Sequence, residues 1–151
     1  MRLTQRAKLA LLASLFVAPI AASVVAYRFF PPPPTANYGE LLLPPRTLPD
    51  ALRKPGRWIL LASDAVPCDG ACVEKADAMR RVRLALGRNA SRVETLVLPP
   101  GEFARAGLTI DTAHIYLADP HGNVMMRWPA RPELKRMLRD LERLLKASQI
   151  G

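Results

Sequence analysis

Histidine and cysteine are scarce in this chain, two of each among 151 residues, so any site built from them is small. Acid is also in short supply: 13 Asp and Glu stand against 22 Lys and Arg, a formal net charge of +9. No glycine-rich phosphate loop, no serine nucleophile with partners and no pair of catalytic carboxylates occurs, which argues against the enzyme classes that those motifs serve. Internal repeats are absent too. The length fits one folded domain, for which about 100–200 residues is usual, and half of the residues are hydrophobic, enough to build a core.

That apolar content is uneven. Leu9 to Tyr27 (LALLASLFVAPIAASVVAY) runs 19 residues without a charge, behind Arg2, Arg6 and Lys8. Such a run is a membrane segment or a signal sequence. Val24-Val25-Ala26 or Ala21-Ala22-Ser23 could serve as a cleavage site. An uncleaved anchor is the better reading, because the run approaches the ~20 residues that span a bilayer and no polar region precedes either site. Basic residues before the run, against Arg28 alone just after it, place the N-terminus in the cytoplasm and the rest outside. In a bacterium that means a single-pass inner-membrane protein with a periplasmic C-terminal domain.

From Arg28 onward the chain holds 19 of the basic residues and all 13 acidic ones, a net +6. This charge suits anionic lipid headgroups or an acidic protein partner, or is plain solvated surface on two basic helices. Export makes nucleic acid an unexpected partner. Phe29-Phe30, the four prolines Pro31 to Pro34, and Pro44, Pro45, Pro49 and Pro55 predict a semi-rigid, extended spacer without a packed core. The expected organisation is therefore residues 1–8 cytoplasmic, 9–28 anchor, 29–57 spacer and 58–151 folded domain.

Within that domain, Trp58 to Ser63 (WILLAS) reads as a strand buried on both faces. Cys72, Ala76, Met79, Val82 and Leu86 recur at helical spacing, with Lys75, Arg80, Arg81 and Arg83 as polar neighbours and Gly87 as a stop. Val93 to Leu98 is a second buried strand, and Glu102 to Thr109 fits a short helix or a loop equally well. Ala113 to Ala118 and Asn123 to Trp128 form a hairpin about Asp119-Pro120-His121-Gly122. Leu134, Met137, Leu138, Leu141, Leu144 and Leu145 make the apolar stripe of a last helix. A βαβ unit followed by a ββα unit is the thioredoxin-like α/β pattern.

Both cysteines lie in PCDGAC, between the first strand and the first helix of the domain. Exported thiols face an oxidising compartment, so a structural disulfide is one reading. A bridge closing so small a loop restrains the unfolded chain little, and a helix N-terminus favours thiolate, so a redox dithiol or a soft-metal site stands beside it. Asp69, Glu74 and Asp77 would oppose part of that thiolate stabilisation. Two cysteines at i and i+4 share a face if the helix continues through both, which leaves disulfide and metal equally open. His114 is a candidate third donor or a packed histidine of a central strand, and His121 falls in a turn expected at the far end of the sheet. Met125 and Met126 point to opposite faces of one strand and read as packing.

The strand, the Cys68-x-x-x-Cys72 motif, the helix and the later Tyr116-Leu117-Ala118-Asp119-Pro120-His121-Gly122 hairpin resemble the Sco/SenC family, and in particular its short, divergent membrane-bound relatives. The resemblance covers about residues 58–146. It implies a membrane-anchored, thioredoxin-like assembly factor for cytochrome c oxidase. Such a protein delivers copper(I) or keeps the target's cysteines reduced, with the copper-bearing subunit or another assembly factor as partner. It also implies Cys68 and Cys72 as redox dithiol and copper ligands.

Family members place a third copper ligand, a histidine, five residues before the hairpin tyrosine. Asp111 occupies that position here, and His114 lies three residues on. Asp69 and Val73 replace the prolines that follow each family cysteine, and the loop after the second strand is shorter. Thr112-Ala113 stands where disulfide oxidoreductases of this fold carry a cis-proline, which argues against broad-substrate thiol exchange. Two alternatives to the assembly factor are a non-catalytic interaction module with a permanent disulfide and a thiol-disulfide reductase serving cytochrome maturation.

Overall fold

The computed structural model describes residues 4–30, 37–65, 67–148 and 150, in two compact units, Met1–Ala36 and Asn37–Gly151. The first unit is one helix, α1 (Gln5–Phe29), which starts where the Thr4 hydroxyl accepts the Ala7 N–H at 3.4 Å. At ~1.5 Å per residue it is about 37 Å long, more than the ~30 Å of a bilayer core. None of its residues is buried, and by length and composition it can cross a membrane. The prolines Pro31 to Pro34 lie outside the described residues.

The second unit is a five-stranded sheet with helices on it: β1 (Glu40–Thr47), β2 (Trp58–Ser63), α2 (Gly70–Ala85), β3 (Val93–Leu98), α3 (Pro100–Arg105), β4 (His114–Ala118), β5 (Asn123–Pro129) and α4 (Leu134–Ala147). Strand order is β1-β5-β4-β2-β3, with β2 and β3 parallel and every other pair antiparallel. The four strands β2 to β5 with α2 and α4 are the predicted βαβ and ββα units. The ambiguous segment after β3 resolves into α3, with Pro100 in its first turn, where a missing N–H costs nothing.

All six residues of β2 are buried, because both faces of the sheet are covered. Leu60 and Ala62 pack with Met79, Val82, Trp128, Met137 and Leu141 on the α2/α4 side. Ile59 and Leu61 pack with Phe103, Leu108 and Tyr116 on the other. Trp128 and Met126 are fully buried, and Met125, half-buried, packs against the same cluster rather than on the opposite face as expected, because the β4–β5 pairing shifts register at it.

The segment 29–57 differs from the expected coreless spacer. Its residues 40–47 form β1, and Leu48 is fully buried. Prolines are tolerated because β1 is an edge strand and its pairing skips them: Leu41 faces Met126, Arg46 faces Val124, and Leu42 to Pro45 bulge between. Just upstream, Asp140 of α4 holds the chain where it joins the sheet. Its carboxylate, 3 % exposed, accepts the N–H groups of Tyr38 at 3.2 Å and Gly39 at 2.8 Å and the indole N–H of Trp128 at 3.1 Å. The Tyr38 ring lies under the Arg136 guanidinium, 4.5 Å from it, and its hydroxyl accepts the Glu133 N–H.

Candidate functional site

Cys68 and Cys72 are joined as a disulfide with their Cα atoms 5.2 Å apart. The bridge forms because Cys68 is not part of the helix. Asp69 is extended (φ −96°, ψ −169°) and α2 begins only at Gly70, so the chain folds back over the first turn. The two sulfurs differ in access: Cys68 is exposed, while Cys72 is 1 % exposed on the buried face of α2. An exposed sulfur paired with a buried one is the arrangement in which one thiol meets a partner and the other resolves the product.

The acidic residues expected to oppose thiolate formation are largely engaged elsewhere. Glu74 accepts from Arg131 Nε at 2.7 Å, and Asp77 is bound by both Arg80 and Arg81. These two groups rim a depression of about 300 Å³ between α2 and the segment before α4. The basic residues there are thus internally paired and do not form a bare cationic patch.

Lys75 departs most from its expected place. It is 2 % exposed, buried with Cys72, Met79 and Val82. Its ammonium donates to the Ser63 carbonyl at 3.1 Å, to Asp64 Oδ2 at 2.9 Å and to the Thr112 carbonyl, which occupies all three of its protons. The end of β2, the first turns of α2 and the start of β4 are therefore tied at one point. A sequence signal was available: 72, 75, 79, 82 and 86 follow a 3-4-3-4 spacing, which puts Lys75 rather than Ala76 on the inner stripe.

The hydrogen bond from Lys75 holds the Asp64 carboxyl below the usual carboxylate range, against a smaller opposing effect of burial. In the unfolded chain Asp64 reverts to a pKa of about 3.9. The stability it contributes is complete above that value and is lost as pH falls through its lower folded pKa. An Asp64→Asn variant is expected to be less stable than the native chain at about pH 6, with the gap in urea unfolding free energy closing towards about pH 3.

His114 opens β4 at the same end of the sheet as Ser63, since Ile115 pairs with Ala62. Its Nδ1 lies 2.7 Å and 3.0 Å from the two carboxylate oxygens of Asp111, and its ring stands edge-on to Tyr116 at 6.1 Å. Asp111 is partly buried, which raises its pKa, but the bonds from His114 and Tyr116 outweigh this and hold it below its ordinary value. Burial pushes the Tyr116 phenol up. The structure thus joins Cys68 to Cys72 and His114 to Asp111. Among the described residues no three His, Cys, Asp or Glu side chains gather into a group able to hold a metal ion. His121 sits in the β4–β5 turn, where Asp119 organises the backbone by accepting the N–H groups of His121 and Asn123.

Residues 58–110 and 101–148 match the family described as the transmembrane-like, thioredoxin-like, C-terminal domain. The chain belongs to that family. The match takes in β2 to α4 and both cysteines, so the dithiol, Lys75 and the Asp111–His114 pair all lie on the thioredoxin-like domain proper, whereas β1 lies outside it. No curated protein and no solved structure matches the chain.

Proposed function

We propose that this thioredoxin-like membrane protein is a Sco-like assembly factor for cytochrome c oxidase, held in a bacterial inner membrane with its domain in the periplasm. Its task in this reading is to keep the cysteines of the copper-bearing subunit reduced. The observation that carries the reading is the Cys68–Cys72 pair itself: an exposed and a buried sulfur at the start of α2, in a chain with one helix able to span a membrane. The Tyr116 to Gly122 hairpin, which resembles that of Sco/SenC proteins, supports the oxidase setting.

The exchange begins with the reduced protein. Cys68 thiolate attacks one sulfur of the target disulfide, and the other target sulfur leaves as a thiolate and takes a proton. Cys72 then attacks Cys68 in the mixed disulfide, forms the Cys68–Cys72 bond and releases the second target thiol. Two electrons pass to the target, and an exported dithiol reductase restores the pair.

Copper(I) delivery is the second form of the same reading, favoured by the two soft sulfur donors that reduction frees at one point. Here copper is cargo, held by the two thiolates, with His114 left on Asp111. Anaerobic copper(I) titration of the reduced full-length chain is expected to give the same stoichiometry and affinity for His114→Ala as for the native protein. Loss of binding in that variant would show that His114 is a ligand.

The decisive measurement is oxidase copper content and activity in cells carrying Cys68→Ser and Cys72→Ser at normal protein level. Loss of copper loading is expected, and full activity would sink the proposal. A reduction potential below about −300 mV for the pair would instead mark a structural bridge.

A further inference from the structure

We propose that Lys75 is a positioning residue that sets the redox poise of the Cys68–Cys72 pair, its buried ammonium favouring the reduced form. The inference rests on the thiol-exchange reading above. Lys75 follows Cys72 by three residues on the same inner face of α2, where Cβ atoms are about 5–6 Å apart. Side chains on a helix lean towards its N-terminus, so the ammonium lies over the first turn, where the sulfurs are. Its partners confirm that direction: Ser63 and Asp64 begin the short segment that ends at Cys68, and Thr112 leads into β4.

The charge is held rigidly and out of water. All three of its protons are used, and its side chain is 3 % exposed against 15 % for Asp64. Reduction adds two electrons to the disulfide and creates negative charge on sulfur, which a fixed cation a turn away stabilises. Asp64, paired with the ammonium at 2.9 Å, carries the opposing charge. The lysine also substitutes physically for a missing element: by bonding the Thr112 carbonyl it fixes the start of β4, where no proline stands.

The test is equilibration of the full-length chain in detergent with glutathione redox buffers, with dithiol and disulfide separated by thiol alkylation. Lys75→Met is expected to shift the equilibrium about tenfold towards the disulfide, equivalent to a potential about 30 mV lower. Asp64→Asn is expected to shift it at least about threefold the other way, because the opposing charge is gone and the cation remains. Opposite signs are the signature of charge, since a role in packing alone would move both variants in the same direction. Shifts of like sign, or none beyond about twofold, overturn the proposal. If Lys75→Met does not fold, Asp64→Asn decides alone: a shift towards the dithiol supports the assignment and its absence overturns it. The two readings fail separately, because a wrong assembly role shows as normal oxidase copper in the cysteine variants while these redox shifts persist.

Discussion

Asp140→Ala lowers the unfolding free energy of the chain by about 3–5 kcal/mol, since it leaves two buried N–H groups and one half-buried one with no acceptor at roughly 1–3 kcal/mol each, less what relaxation and water recover. The groups are the backbone N–H of Tyr38 and Gly39 and the indole of Trp128, all three donating to the one carboxylate. Asp140→Asn keeps the shape but turns an amide N–H towards these donors, so about half of the loss is expected. The segment has no room to adjust. A Cβ on Gly39 would lie 2.6 Å from Trp128 Nε1 and 2.7 Å from Met126 Sδ, so Gly39→Ala disrupts the same contact from the other side. Urea unfolding of the full-length protein in detergent, followed by Trp fluorescence, measures all three. An Asp140→Ala chain within about 1 kcal/mol of native stability would show that the latch is not formed.

The second large effect concerns the cysteines. With oxidised glutathione as the probe, Cys72→Ser is expected to accumulate a mixed disulfide on Cys68, because attack proceeds and resolution does not. Cys68→Ser is expected to form its adduct slower by on the order of a hundredfold, since Cys72 is presented on the buried face of α2. Mass spectrometry of the quenched chains reads both. Equal rates would mean that α2 opens readily enough to expose Cys72, and the division of labour between the two sulfurs would be lost.

The elements with a clear apolar pattern were legible, because burial dictates that pattern. WILLAS declared itself as a strand by its unbroken apolar run and the leucine stripe of α4 as a helix by its period, whereas VETLVL is a strand as expected but not a buried one: β3 is a sheet edge and only Val93 of it is buried. β1 was hidden by its prolines rather than by its edge position, which β3 shares. Two prolines interrupt its pattern, and only pairing across a bulge to β5 makes a strand of it, a tertiary effect with no local trace. The site divides in the same way. The cysteines stood out by their place between a strand and a helix, while spacing left disulfide and metal open, and their union follows from a helix that starts only at Gly70. Lys75 was misplaced because its charge outweighed its position in the stripe, while the bond between His114 and Asp111 depends on a turn between two residues that sequence places only three apart.

The Asp140 latch also decides where mechanical load falls. Tyr38 and Gly39 precede β1 in the chain, so a pull from the N-terminal side meets their bonds to α4 ahead of the β1–β5 pairing. In the sheet, β5 and β4 then stand between that edge and β2, the strand that leads into the dithiol. The edge at which the N-terminal segment enters the sheet is thus two strands removed from β2, while Asp140 itself sits on α4, which packs on α2 through Met137 and Leu141.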